Sequence, residues 1–337
     1  MTRVLLTLSA TFVLFQSCSN DFELTAPWKE VPIVYAILSP QDTAHYVRVE
    51  KAFLDPKTSA LQIAQIPDSI YYPENAIQVF IEEVATGKRF SLTRVDGRLE
   101  GYPRKEGIFA ASPNWLYKTK EKLSAGQRYR LRIVRTDGRP DVTAETVIPT
   151  DFIIQSPNPS LLPVRITFLR DRSSNVTWLT DSNGVYFTVR FRIRIRENNF
   201  NGTLVRRDTL YWTPVPNTRR SEILTGNGYL TTERILSESF YRVLVENLSP
   251  ANNTFRRFEG IDITVEGGGR EIERYLETAA ANAGITGAEL VSLYTNLSEG
   301  FGIFTGKNAV TLPNVSVTPE TISSMNERSP ERELNFQ

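Results

Sequence analysis

Cysteine and histidine are almost absent from this chain of 337 residues, which has one of each, Cys18 and His45. Internal disulfides, cysteine-rich zinc sites, Cys–His nucleophile pairs and metal sites built from several histidines are therefore excluded. No spacing of acidic residues picks out a catalytic pair, and the sequence predicts no cofactor and no metal site. Charge of one sign is lacking too: the formal net charge is +1, which argues against nucleic acid as a partner.

A mostly apolar stretch from Val4 to Phe15 follows a single arginine, which is the order of a secretory signal peptide. It is too short to span a bilayer. The next residues complete Leu14-Phe15-Gln16-Ser17-Cys18, which resembles the lipobox of bacterial lipoproteins. We therefore expect a lipoprotein signal peptide over 1–17, acyl chains such as palmitate on Cys18, and a tether over 18–30. The alternative is an ordinary signal peptide cleaved beside an incidental cysteine.

Residues 31–150 carry short strand-like segments separated by turn signals. Val31 to Leu38 is an apolar run suited to a buried strand, and His45 to Glu50 alternates as a half-buried strand does. Ala85-Thr86-Gly87-Lys88 is typical of a hairpin loop between two further strands. This spacing predicts an Ig-like antiparallel β-sandwich over 31–150.

The second half is predicted to be a β-rich domain over 151–312, so the chain as a whole is expected to be mainly β. Its clearest strand runs from Val185 to Arg196. Further strands are predicted at Thr203–Trp212, Phe240–Glu246 and Gly260–Val265. Apolar residues at helical spacing predict one late amphipathic helix near 270–283. Residues 313–337 are polar and predict a mobile tail.

The order of these features resembles a family. After the lipobox come VPIVYAILSPQDTAHYVRVEKAFL, GQRYRLRIVRTDG and TAETVIPTDFII, and later GREIERYL and YTNLSEGFGIFTG. This order resembles the uncharacterised Bacteroidetes envelope lipoproteins known only as a domain of unknown function, which are often encoded beside TonB-dependent outer-membrane receptors. The resemblance implies an outer-membrane lipoprotein and an accessory role in nutrient import, with a TonB-dependent transporter as partner. It assigns no functional residues.

Arginines alternate with apolar residues along the clearest strand: Arg190, Arg192, Arg194 and Arg196. Alternation places them on one face, about 6.6–6.8 Å apart. Such a face is a candidate for binding phosphates or carboxylates through two hydrogen bonds at a time. The alternative is a solvated face on which Glu and Asp of neighbouring strands neutralise the arginines, and the near-zero net charge favours it.

Two pairs of aromatic residues are candidate platforms for sugar rings: Trp115 with Tyr117, and Tyr211 with Trp212. The alternative is that they pack in the core.

Three short segments resemble the O-glycosylation acceptors of Bacteroidetes envelope proteins: Asp42-Thr43-Ala44, Asp68-Ser69-Ile70 and Asp208-Thr209-Leu210. The resemblance implies glycans on Thr43, Ser69 and Thr209, and hence exposure of these three side chains.

Three functions remain open from the sequence. The first is a lipid-anchored, non-catalytic binding or accessory module for outer-membrane uptake, with a glycan or peptide ligand. The second is a glycan hydrolase, which needs two carboxylates roughly 5–9.5 Å apart in a cleft. The third is a structural or adhesive surface protein, which needs a large exposed apolar patch.

Overall fold

The computed structural model describes residues 30–52, 59–283 and 293–337. Within these ranges the strands are β1 Val31–Leu38, β2 His45–Ala52, β3 Ile77–Glu83, β4 Lys88–Asp96, β5 Trp115–Thr119, β6 Arg128–Arg135, β7 Val142–Val147, β8 Ile153–Ser156, β9 Arg165–Ile166, β10 Ser173–Thr180, β11 Tyr186–Asn199, β12 Leu204–Arg219, β13 Leu224–Thr225, β14 Gly228–Leu236, β15 Thr254–Gly268 and β16 Phe301–Val317. The helices are α1 Ala60–Ile63, α2 Pro67–Ile70, α3 Ser237–Asn247, α4 Arg270–Ala283 and α5 Pro319–Asn326, and a 3₁₀ turn covers Glu331–Leu334. The mainly β fold class is confirmed.

Most strands belong to one continuous path of pairing, in the order β12-β11-β15-β16-β1-β2-β5-β4-β3-β6-β7. Neighbours on this path are antiparallel, except that β1 and β16 run parallel, with Val34 opposite Gly302. β9 pairs with the end of β16, and a second sheet has the order β13-β14-β10-β8. The hairpin predicted around Gly87 is confirmed, because β3 and β4 pair directly across it.

Strands of the first half enclose one hydrophobic core, because their side chains alternate between the inside and the surface. On β6, for example, Leu131 and Ile133 are buried while their sequence neighbours are partly exposed. Leu297 and Phe304 also belong to this core, although they come from the far end of the chain. The backbone N–H of Gly306 donates to Oγ1 of Thr146 on β7, at 3.1 Å. The first core is therefore closed by β16.

A second core lies between the four-stranded sheet and the sheet formed by β12, β11, β15 and β16. Trp178 of β10 meets Phe187 of β11 edge to face, with ring centroids 5.3 Å apart. Helix α3 covers one end of this core, where Phe240 stacks on Phe168 at 4.0 Å. All four rings are fully buried, and each such burial stabilises the fold by about 1.5–3 kcal/mol.

Residues Val31–Gln337 form one compact unit, in which the two cores share a sheet. The helix predicted near 270–283 is confirmed as α4. The predicted range of the second domain, 151–312, needs two changes. Leu297 and Phe304 pack with the first core, and the second core extends beyond residue 312 to Phe336. Among the helices of the described ranges, none is long and apolar enough to span a bilayer.

The strand predicted at Phe240–Glu246 is wrong, because these residues lie in helix α3. The local pattern reads equally as strand alternation and as a helical stripe. Phe240, Tyr241 and Leu244 form the buried stripe of the helix, and their packing on the second core decides the outcome.

The mobile tail predicted for 313–337 is also wrong. Its first residues, to Val317, continue β16, and helix α5 and the 3₁₀ turn follow. Several apolar side chains of the segment are buried, among them Met325, Leu334 and Phe336. Phe336 stacks on Phe258 of β15, with ring centroids 4.4 Å apart. The segment is polar on average, and an average composition does not reveal a few apolar residues that pack in the core.

Candidate functional site

The outer face of the sheet β12-β11-β15-β16 carries the predicted arginines. Along β11, Phe191, Ile193 and Ile195 are buried in the second core, so the residues between them point away from it. Arg190 and Arg192 are exposed, and Arg194 and Arg196 are half-buried. The four arginines therefore lie on one face of β11, as predicted.

Carboxylates of β15 neutralise three of these arginines. Arg190 Nη1 donates to Oε2 of Glu266 at 3.1 Å. Arg192 Nε and Arg194 Nη1 both donate to Oδ2 of Asp262, at 2.8 and 2.6 Å. This part of the face is the charge-paired surface that the sequence left as an alternative.

Asp262 is the centre of this arrangement. Its burial acts to raise its carboxyl pKa, but the backbone N–H of Asn314 and the guanidinium groups of Arg192 and Arg194 together lower the pKa. The Asn314 N–H donates to Oδ1 at 3.0 Å, and Arg194 Nη2 donates to the Asn314 side chain at 2.6 Å. These contacts fix the two guanidinium groups in place, so the polar groups of the face are held before any ligand arrives.

A depression of ≈ 350 Å³ lies on this face beside Tyr211. The Tyr211 side chain is 79% exposed and sits opposite Arg192 in the pairing of β11 with β12. Thr264 and Thr311 line the other side, with their hydroxyl oxygens 2.9 Å apart. The depression therefore combines an exposed aromatic ring with guanidinium, carboxylate and hydroxyl groups.

The prediction that Trp212 shares a platform with Tyr211 is wrong. Neighbouring residues of a strand point to opposite faces, and Trp212 packs against the second core. Its ring meets Phe191 edge to face at 5.4 Å. Only Tyr211 of this pair is available to a ligand on the outer face.

The other predicted platform, Trp115 with Tyr117, is also wrong. Tyr117 is 5% exposed and belongs to the first core. Trp115 is half-buried against Ile70 and Tyr71, and the guanidinium of Arg94 lies 4.3 Å from its ring centroid. Both residues stabilise the first half.

The remaining predicted residues lie elsewhere. Cys18, with the signal peptide and the tether up to residue 29, falls outside the described residues. Thr43 and Thr209 are exposed, whereas Ser69 is half-buried in α2. Thr209 sits opposite Arg194 on the outer face. Glycosylation of the three residues stays a prediction.

Pairs of carboxylates also line other cavities, among them one with Glu320 and Glu327, at the start and just past the end of helix α5, and one with Glu145 and Glu271. The second of these has the more buried carboxyl group. Burial raises the pKa of Glu271, although hydrogen bonds from Thr146 and other groups act against it. Thr146 and Glu145 are adjacent on β7 and point to opposite sides of the strand. Glu145 instead pairs with Arg130, at 2.6 Å. This geometry does not support the hydrolase interpretation at this cavity.

In the ranges that the structure describes, no group of three or more metal-ligating side chains was found.

Sequence reasoning missed Asp262, Thr264 and Thr311. A signal for the first two was present, because the predicted strand Gly260–Val265 places Asp262 and Thr264 on one face. No local pattern linked Thr311 of β16 to them.

Comparison with solved structures finds distant likenesses. The C-terminal globular domain of an oligosaccharyltransferase from Pyrococcus abyssi is 8% identical, with a TM-score of 0.24, and the alignment covers 71% of this chain and 43% of that one. Titin domains A168–A170 are 10% identical, with a TM-score of 0.19, and the coverage is 86% and 66%. The chain thus spans less than two thirds of either structure, and at these scores neither supports an argument about function.

No curated protein matches the chain. A family model does match it, over residues 22–312, which include nearly all of both cores and the whole depression beside Tyr211. The chain belongs to the family described as "Domain of unknown function (DUF4249)".

Proposed function

We propose that this protein is a lipid-anchored protein of the bacterial outer membrane that acts as a non-catalytic binding module, accessory to uptake through a TonB-dependent transporter. One observation carries the binding role. Tyr211 presents an exposed ring beside hydrogen-bonding groups that internal contacts already hold in position.

The ligand class that fits this depression is a glycan. A sugar ring has an apolar face that packs on an aromatic ring and hydroxyl groups that both donate and accept hydrogen bonds. Asp262 offers acceptors, Arg192 offers donors, and Thr264 and Thr311 offer both. Because Asp262 neutralises much of the local positive charge, the depression suits neutral or weakly acidic sugars better than polyanions.

The binding role is tested by calorimetric titration of the purified protein with maltohexaose, xylohexaose and cellohexaose. We expect one of these probes to bind, and Tyr211→Ala to weaken that binding at least tenfold, since covering a large apolar side chain is worth about 1.5–3 kcal/mol. Tyr102→Ala is the matched control, because Tyr102 is also exposed but lies in the first half. Equal loss in both variants, or no binding of any probe, would contradict the proposal.

The partner and the anchor need tests of their own. A photo-crosslinking amino acid at position 211 is expected to capture a transporter or its ligand from intact envelopes, and the same group at position 102 is not. For the anchor, Cys18→Ala is expected to release the protein from the membrane fraction when the membranes are washed at high salt, which removes ionic contacts but not an acyl anchor. A protein that stays equally membrane-bound after this substitution is not held by an acyl chain.

A further inference from the structure

The end of the β11–β12 hairpin differs from the rest of the outer face in its charge balance. Arg196 sits directly opposite Arg207 of β12 on one side and Arg257 of β15 on the other. Residues paired in this way point to the same face with their Cβ atoms about 4.5–5.5 Å apart. Three arginines therefore form a row across three strands, which we name the arginine row.

Among the residues that the structure describes, one carboxylate is bound to the arginine row. Arg207 Nε donates to both oxygens of Glu259, at 3.1 and 3.2 Å. Within the described ranges, Arg196 and Arg257 have no ion-pair partner, and Arg257 instead lies 5.1 Å above the ring of Phe255. Like charges placed directly opposite each other destabilise a sheet, so the row favours an external anion.

Apolar side chains border the arginine row at the tip of the hairpin. Phe200 is 66% exposed, and Leu204 and Val205 are exposed as well. Phe200 is adjacent to Phe255, with ring centroids 6.1 Å apart. A free phosphate ion or a purely acidic protein loop would bind the arginines but leave these apolar side chains in water. At a lipid surface, the arginines bind the headgroups and the apolar tip lies just below them.

We propose that the tip of the β11–β12 hairpin, with the arginine row beside it, docks on a membrane surface rich in phosphate-bearing anionic lipids. The guanidinium groups of Arg196 and Arg257 bind lipid phosphates, and Phe200 and Leu204 enter the headgroup region. The depression beside Tyr211 lies on the same face, since Arg192 is four residues, about 13 Å, from Arg196 along β11. Docking of the tip therefore holds the depression close to the membrane. This surface is independent of Tyr211 and of Cys18.

The test measures sedimentation of the mature chain, residues 18–337, with vesicles of phosphatidylcholine alone and of phosphatidylcholine with phosphatidylglycerol. All variants carry Cys18→Ala, so that neither the signal peptide nor an acyl chain contributes. We expect stronger binding to the anionic vesicles, weakened by salt. The double variant Arg196→Gln/Arg257→Gln should bind about 25-fold more weakly, because one arginine near an anionic surface is worth about fivefold.

The matched control is Arg128→Gln/Arg234→Gln, which removes the same charge from two arginines elsewhere, Arg128 being 56% exposed and Arg234 also exposed. It should retain binding, and Phe200→Ser should lose about tenfold. Equal losses in both double variants would show a non-specific charge effect and overturn the proposal. Loss in the arginine variant with none in Phe200→Ser would assign the row to a soluble anion or an acidic protein instead, which also overturns it. Neither result bears on sugar binding at Tyr211.

Discussion

Arg256 and Glu197 form an ion pair that water barely reaches: Nη2 and Oε2 are 2.9 Å apart, and the two side chains are 1% and 9% exposed. Arg256 also donates to the carbonyl of Leu334 at 3.3 Å. Its backbone accepts a hydrogen bond from the N–H of Gln337 and donates one to the carbonyl of Asn335. One residue of β15 therefore binds β11 and the C-terminal segment together.

Arg256→Met should lower the free energy of unfolding by about 3 kcal/mol, because Glu197 then remains buried with less compensation. Arg256→Met/Glu197→Leu should recover part of this loss. Arg207→Met is the control, since the pair Arg207–Glu259 is exposed and worth at most about 1 kcal/mol. Urea denaturation measures all three. Equal effects of Arg256→Met and Arg207→Met would show that burial does not set the strength of the pair.

His45 should make the protein sensitive to mild acid. The side chain is 1% exposed, and its burial lowers its pKa, although the charge of Asp42 and the backbone carbonyl of Glu121 act in the opposite direction. Because the folded-state pKa is depressed, the contribution of His45 to stability is complete above the unfolded pKa of about 6.5 and falls as the pH drops below it. The loss is at most about 1.4 kcal/mol per pH unit.

The measurement is the urea midpoint between pH 7.5 and pH 5 for the wild type and for His45→Gln, which should show a flatter dependence. Glu271 has the opposite effect on the pH dependence of stability. Burial raises the pKa of its carboxyl group, so the folded state takes up a proton before the unfolded state does and becomes relatively more stable as the pH falls. Glu271→Gln should therefore steepen the acid loss. Parallel curves for the wild type and His45→Gln would exclude His45 as the cause.

The parallel pairing of β1 with β16 requires glycine at position 302. Gly302 has a φ of +115°, and a Cβ there would lie 1.9 Å from the carbonyl oxygen of Val34. Gly302→Ala should cost about 3 kcal/mol or more, since it combines backbone strain with a clash against the main chain. Gly107→Ala should be near neutral, because nothing lies within 4 Å of its Cβ. Thermal denaturation of both variants checks this, and a stable Gly302→Ala would contradict the strand pairing.

Asp262→Asn should both destabilise the fold and make the outer face bind anions. It removes the counter-charge of Arg192 and Arg194, so we expect a loss of about 2–3 kcal/mol in stability and new binding of inorganic phosphate. Glu266→Gln is the control, since the Glu266 side chain is 24% exposed and that of Asp262 only 5%, so the pair of Glu266 with Arg190 contributes less. Phosphate titration followed by calorimetry would detect the difference. Absence of phosphate binding to Asp262→Asn would show that the freed guanidinium groups do not converge.

The features that follow from local periodicity were predictable. The alternation of β11 identified both its buried apolar side chains and its outer arginines, and the helical stripe identified α4. The same rule, applied to two adjacent residues, would have excluded a platform shared by Tyr211 and Trp212. Adjacent strand residues cannot both face the solvent on one side of a sheet.

The features that depend on distant pairing were not predictable. Nothing near β1 indicates that its partner is Phe301–Val317, and nothing near Arg196 indicates that two more arginines lie opposite it. The ambiguity of Phe240–Glu246 is of the same kind, because only the second core decides between helix and strand. Partners far apart in sequence determine the charge balance of the face, and a single sequence does not show them.

Closure of the first core by β16 has a consequence for biosynthesis. At roughly 5–20 residues per second, the ribosome delivers Phe301 tens of seconds after β1. Until then the edge of β1 and the apolar side chains that Phe304 will cover lie open. Such a nascent chain exposes a strand edge prone to wrong pairing, so a chaperone that holds the chain until its last strands arrive should raise the yield of folded protein.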